Sequence, residues 1–323
     1  MKKTTTIGIT GVCGFVGSNL AERLVSMNYH VIGIDDLSKG NRRNINSLIG
    51  KKNFEFRKLK TQNHKQLKKV FKKAEVIFHL SSAKIPRYGD RLLTLIENSK
   101  GMESVLETAR VNKSKVIFTS TSDVYGKNTQ LPFTEDSNLV LGSSEVARWA
   151  YAATKIFDEH LCFAYQEQYK TKIVILRLFG VYGPKQHLTW WGGPQALFID
   201  NISKGRNVEI HGDGSQTRTF VYIDDVIDAL VKLISNPSAI GQIINIGTTQ
   251  EITIVNLARM IAKILKKKLI VKRVPYKSFT GKKYEDVLKR KPSITKANKL
   301  LNWSPKTELK SGLEKTIQWQ LDQ

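Results

Sequence analysis

The sequence predicts an α/β protein built on a doubly wound parallel sheet, with a smaller α/β lobe toward the C-terminus. Three observations carry that prediction. Short apolar runs recur at 7–10, 31–34, 76–83 (VIFHLSSA) and 115–119 (KVIFT), as strands buried on both faces require. Between them the apolar period lengthens to that of helices, as at 91–111, where Leu92, Leu95, Ile96, Met102, Val105, Leu106 and Ala109 fall roughly on one face. Finally, a glycine-rich turn joins the first strand to an amphipathic helix that runs through Leu24 and Val25.

That turn reads G-x-x-G-x-x-G, from Gly11 through Gly14 to Gly17. Gly11 permits the tight turn, Gly14 lets backbone approach a pyrophosphate, and Gly17 lets helix and strand pack closely. The N–H groups at the helix start hold phosphates. The second apolar run ends at Asp35, which would accept hydrogen bonds from the adenosine ribose hydroxyls and so favours NAD over a 2′-phosphorylated cofactor. Strand, glycine turn, helix, strand and acid stand in the order a dinucleotide site needs.

Bulk properties narrow the class. A chain of 323 residues accommodates one large domain with a lobe, divided at 1–180 and 181–323, with some later segments returning to the first part. Cys13 and Cys162 lie far apart, which argues against a disulfide framework and a thiolate metal site, so no metal is expected and the cytoplasm is the expected compartment. The start, MKKTTTIGIT, lacks the apolar stretch of a signal peptide, and no run is apolar enough to span a membrane. The net charge of +24 would attract a polyanion, whether nucleic acid, anionic lipid or a diphosphate substrate. The lysines are read as spread along the chain rather than gathered in an aromatic-laced patch, so nucleic-acid binding is not expected.

In chain order, residues 41–75 are polar and basic and are expected at one edge of the sheet, with 54–60 (FEFRKLK) a short strand. His79 lies within an apolar run and is read as structural. The segment 120–126, STSDVYG, places Thr121 at a strand's C-terminal end, where ligands sit in open α/β sheets. In 148–155, RWAYAATK, Tyr151 and Lys155 share one helical face. A lysine beside a tyrosine, near a cationic nicotinamide, is expected to lower the phenol's pKa, since a phenol near about 10 is a poor base at neutral pH. Beyond residue 180, Trp190 and Trp191 are read either as pocket lining or as hinge packing, and Lys185 is placed to face a phosphate or a sugar carboxylate. Strands are expected at 207–212, 218–223 and 241–247, and an amphipathic helix at 253–267. Asp224 and Asp225 open a helix, where acids suit the macrodipole.

With these residues in view, the chain resembles an extended short-chain dehydrogenase/reductase of the NAD-dependent epimerase/dehydratase family, almost end to end. TGVCGFVGSNL, TSDVYG, YAATK, RLFGVYGP, HGDGSQTRTFVYIDD, RKPSI and LLNWSPKTEL fall in family order. The resemblance implies a catalytic group of Thr121, Tyr151 and Lys155, with Ser122 and Asp123 as accessories. It implies NAD held by Gly11, Gly14, Phe15, Val16, Gly17 and Asp35 together with Tyr151 and Lys155. It implies substrate contacts from Lys84, Lys185, Arg218 and Arg290, the two arginines on the nucleotide diphosphate. A homodimer formed through helices 91–111 and 150–168 is likewise implied. Two departures stand out: Lys58 where an adenine-binding Asp is usual, and Gly180 where the R-x-F-N turn usually has Asn.

Family members begin alike, with Tyr151 taking the proton of the sugar 4-hydroxyl while hydride leaves C4. Ser122, in place of the usual Asp, disfavours a 4,6-dehydratase. Asp123 stands where UDP-glucuronate decarboxylases carry Glu. The expected activity is a UDP-sugar 4-epimerase acting on a hexose or hexuronate, with UDP-glucuronate decarboxylation second. A non-catalytic nucleic-acid-binding relative is the alternative of another class, and the intact Thr121, Tyr151 and Lys155 argue against it.

Overall fold

The computed structural model describes residues 4–84, 90–188, 193–275 and 285–323. Trp190 and Trp191 lie outside them. The first half alternates β1 (Thr6–Thr10), α1 (Phe15–Ser26), β2 (His30–Asp35), β3 (Phe54–Lys58), α2 (His64–Val70), β4 (Val76–His79), α3 (Arg91–Asn112), β5 (Lys115–Thr121), α4 (Arg148–Tyr169) and β6 (Ile173–Leu178). The second half adds β7 (Val181–Tyr182), α5 (Pro194–Ser203), β8 (Val208–His211), β9 (Thr217–Thr219), β10 (Val221–Tyr222), α6 (Ile223–Lys232), β11 (Gln242–Ile246), β12 (Glu251–Thr253), α7 (Ile254–Leu265) and β13 (Val271–Val274). Two final helices cover Thr295–Leu301 and Leu309–Leu321.

Seven strands form one parallel sheet in the order β3-β2-β1-β4-β5-β6-β11. The chain winds outward from β1 to β3 and then restarts at β4 on the other side of β1. The loops after β1 and β4 therefore part, and the crevice between them is where such sheets bind ligands. Alternate residues serve opposite faces: Ile7, Ile9, Val174 and Leu176 pack with α1, α6 and α7, while Ile77, Phe118, Ile173 and Ile175 pack with Phe71, Met102 and Val105. Both faces are covered, which is why the strands read as continuous apolar runs. β11 comes from the second half of the chain yet forms an edge of this sheet. The remaining strands pair as β7 with β10, β8 with β13 and β9 with β12.

A buried ion pair ties α4 to the sheet. Arg177 on β6 lies 2.7 Å from Glu159 on α4, which also accepts from Ser120 on β5. Asp225 is structural: its carboxylate accepts from the backbone N–H groups of Lys306 and Thr307, and its carbonyl from Trp303 Nε1.

The charge is distributed differently from the even spread expected. Thirteen lysines and arginines fall between Lys39 and Lys73 against one acid, Glu55, and all thirteen are exposed. This flank around the edge strand β3 reaches the cavity mouth through Lys39 and Lys60.

Candidate active site

A cavity of about 870 Å³ opens at the C-terminal ends of the central strands and runs under the second half of the chain. One end is built from backbone. Gly11 has φ +72°, and a Cβ there would meet the Ser81 backbone nitrogen at 2.9 Å. A Cβ on Gly17 would lie 2.1 Å from the Gly11 carbonyl oxygen, so only glycine lets α1 start against the turn. Phe15 and Val16 line the cavity beside these glycines. The Asp35 carboxylate accepts from the N–H of Cys13 (3.0 Å) and of Leu37 (2.8 Å), which fixes its orientation. Burial raises its pKa against those two bonds. Each oxygen keeps lone-pair capacity for a ribose hydroxyl, so this end fits a dinucleotide.

Lys58 is exposed and not part of the cavity wall, which its neighbours Leu59, Lys60, Thr61 and Gln62 line. The Gly180 departure has a steric reason. A Cβ there would sit 2.6 Å from the Thr219 carbonyl oxygen, leaving no room for an asparagine side chain.

The other end is built from side chains. Thr121, Tyr151 and Lys155 converge here, brought together by β5 and α4. Thr121 Oγ1 accepts from the Asp123 N–H at 3.2 Å, capping the turn after β5. The hydroxyls of Ser82 and Thr121 reach the Tyr151 phenol and favour its ionised form. Burial, and then the charge of Asp123, outweigh them and push the phenol well above its ordinary range. The expectation that Lys155 lowers this pKa is therefore not met by the protein alone. Lys155 Nζ lies 5.9 Å from the Tyr151 ring centroid, and it donates to the Thr119 carbonyl at 3.0 Å. Burial brings the ammonium down to about 8, against the carboxylates of Asp158 and Glu159. His79 is structural in its bonding. Its Nδ1 pairs with Thr10 Oγ1 at 2.8 Å, and burial and Lys155 hold its pKa down to about 3, so the ring is neutral.

Around the phenol, five basic side chains, Lys84, Arg148, Lys155, Arg218 and Arg290, face two carboxylates, Asp123 and Asp286. Arg290 lies 2.8 Å from Asp123 and donates to Ser122 Oγ at 3.3 Å. Arg148 spans both acids, at 3.7 Å from Asp123 and 3.0 Å from Asp286, and Arg218 lies 3.2 Å from Asp286. Burial, and then the like charges of Arg290 and Arg148, lower the Arg218 pKa to about 10 against the carboxylates of Asp286 and Asp123. Lys185 does not join this group. Its Nζ is 2.6 Å from Glu22 and donates to the Asn44 carbonyl, and the residue is not part of the cavity wall. Sequence reasoning did not single out Ser82 or Asp286. Ser82 lies among the small residues that end the run 76–83, and Asp286 stands in an irregular segment with no local pattern to mark it.

A profile of the NAD dependent epimerase/dehydratase family matches residues 7–247. The chain is 33% identical over 313 residues to UDP-N-acetyl-alpha-D-glucosaminuronate decarboxylase of Bacillus cytotoxicus, covering 96% of each. It is 33% identical over 322 residues to UDP-glucuronic acid decarboxylase 1 of Xenopus tropicalis, covering 98% of this chain and 72% of that protein. Among solved structures it resembles UDP-glucuronic acid 4-epimerase of Bacillus cereus in complex with UDP-glucuronic acid and NAD. That likeness has a TM-score of 0.89 and 31% identity, and covers 98% of this chain and 99% of that one.

Proposed function

The chain belongs to the NAD-dependent epimerase/dehydratase family, and on that premise we propose that it decarboxylates a UDP-hexuronate through a 4-keto intermediate. The observation that carries this reading is the gathering of Lys84, Arg148, Arg218 and Arg290 with only Asp123 and Asp286 among them at the Tyr151 end of the cavity. A UDP-hexose brings two negative charges on its diphosphate; a UDP-hexuronate brings a third on C6. Buried charge is tolerated best when paired, so a third negative charge on C6 suits an end of the cavity that gathers these cations.

The chemistry follows from the residues. NAD, held by the glycine turn and Asp35, would supply the hydride acceptor for C4 oxidation and the donor for its reversal. Tyr151 accepts the proton of the 4-hydroxyl, and Thr121 holds the same oxygen by a hydrogen bond. Lys155 lies on the same helical face and adds positive charge that favours the phenolate. Once C4 is a ketone, the C6 carboxylate is β to it, and the C5–C6 bond breaks with its electron pair passing to the C4 oxygen. Tyr151, now protonated, and Thr121 donate to that oxygen. C5 then gains a proton through Asp123, the acid at the sugar end, which Arg290 and Arg148 hold in place. NAD is unchanged over the cycle, one proton is consumed and carbon dioxide leaves.

The second reading is C4 epimerisation of the same substrate class, favoured by Asp123 being one methylene shorter than the usual decarboxylase acid. Incubating NAD-loaded protein with UDP-glucuronate, and separately with its 2-acetamido analogue, tests both. Carbon dioxide and a UDP-pentose of unchanged C4 configuration are expected. A C4 epimer that retains its carboxylate would establish epimerisation instead.

A further inference from the structure

The loop after β4 is pinned beside the reacting phenol. Asn98 on α3 accepts from the Ala83 N–H at 2.7 Å and donates to the Ala83 carbonyl at 3.0 Å. The same side chain donates to Thr154 on α4 at 3.2 Å, within one turn of Tyr151. Ser82, one residue before Ala83, reaches the phenol itself. Lys84 therefore leaves a backbone whose position relative to Tyr151 is fixed, and its side chain lies in the cavity wall.

Its electrostatic setting differs from that of its basic neighbours. Arg148, Arg218 and Arg290 each lie within 3.7 Å of Asp123 or Asp286. Lys84 makes no ion pair with a described residue; it is drawn toward Asp123 and pushed by Lys155. Water reaches it through the cavity, yet protein surrounds it closely enough that desolvation lowers its pKa. A cation so placed is stabilised by an anion that arrives with the ligand.

We propose that Lys84 is the subsite for the sugar carboxylate and sets the preference for a hexuronate over a neutral hexose. The proposal rests on the reading of this cavity as a nucleotide-hexuronate site. If C4 meets Tyr151, then C5 and its carboxylate lie one bond further round the ring, beside the phenol and within the span of a four-carbon side chain. The arginines around them are already held by aspartates. A lysine also suits the chemistry better than an arginine. It offers one compact charge rather than a planar fork, so the carboxylate is held without being locked in plane, and its bond to C5 is free to align with the C4 carbonyl π system.

The test is ligand selectivity of the full-length, NAD-loaded protein and its Lys84→Met and Lys84→Arg variants, titrated with UDP, UDP-glucose and UDP-glucuronate. In Lys84→Met, affinity for UDP-glucuronate should fall about 10- to 100-fold, the worth of one charge-assisted hydrogen bond, and affinity for UDP and UDP-glucose by less than about threefold. Lys84→Arg should recover most of the loss. Equal weakening toward all three ligands would place Lys84 on the diphosphate and overturn the proposal. Unchanged affinity for UDP-glucuronate would remove Lys84 from the site. The product of the wild-type reaction is a separate readout. A C4 epimer instead of carbon dioxide would refute the decarboxylase reading while leaving the selectivity result standing, and wild-type selectivity retained by Lys84→Met, with decarboxylation by the wild type established, would refute only the role of Lys84.

Discussion

The two ends of the cavity are made of different material. The dinucleotide end comes mainly from one stretch, Gly11 to Asp35, and what matters there is backbone: a left-handed glycine, a helix start and two N–H groups that aim one carboxylate. The sugar end comes from side chains at 82–84, 121–123, 148–155, 218 and 286–290, carried on several elements. The first kind of site tolerates almost no change at its glycines and serves any chemistry that uses the cofactor. The second kind changes its ligand when a single charge changes. On the proposed reading, the C4 oxidation step belongs to the backbone-built end together with Tyr151, and substrate choice belongs to the charge cluster.

The comparison breaks most sharply at Tyr151. Tyr151→Phe removes one hydroxyl and should cost about 10²- to 10⁴-fold in kcat. Circular dichroism should match wild type, because a single hydroxyl is removed and the ring stays. Retained turnover would mean that the proton leaves by another route.

Gly17→Ala attacks the other end. A Cβ placed 2.1 Å from a backbone oxygen must force α1 off the turn. A loss of about 1–3 kcal/mol in urea unfolding is expected, with weakened NAD binding. Unchanged values for both would show that the turn has slack the glycine spacing does not suggest.

Asp123→Asn separates the two steps at the sugar end. Asp123 raises the Tyr151 pKa, so removing its charge lowers that pKa. The acid limb of C4 oxidation, followed as transient NADH absorbance, should move to lower pH, while carbon dioxide release slows. An acid limb that stays in place would mean that another charge governs the phenol. On the alkaline side, Lys155 loses its proton through about pH 8. C4 oxidation should decline as pH rises through that value, because the neutral amine no longer favours the phenolate.

The smallest effect is expected at Lys185→Met. The ammonium is engaged with Glu22 and the Asn44 carbonyl, away from the cavity. KM for a UDP-sugar should change by less than about twofold, and stability by no more than about 1 kcal/mol. A large rise in KM would return Lys185 to the substrate.

The sequence by itself determined the parts whose physics is local. A glycine turn followed by a helix, strands that read as unbroken apolar runs, and Tyr151 with Lys155 on one helical face follow from φ preferences and from the periods of helix and strand. Those rules operate over a few residues, so the parallel sheet and the cofactor end were legible. The tertiary structure alone decided which of the 52 lysines and arginines meet. Nothing local distinguishes Lys84 from Lys185, or Lys58 from Lys60. The first pair is separated by the crossing of the β4 loop against α4, the second by where β3 ends. Charges act through space rather than along the chain, so the sugar site existed only once 82–84, 121–123, 148 and 286–290 had been brought to one place.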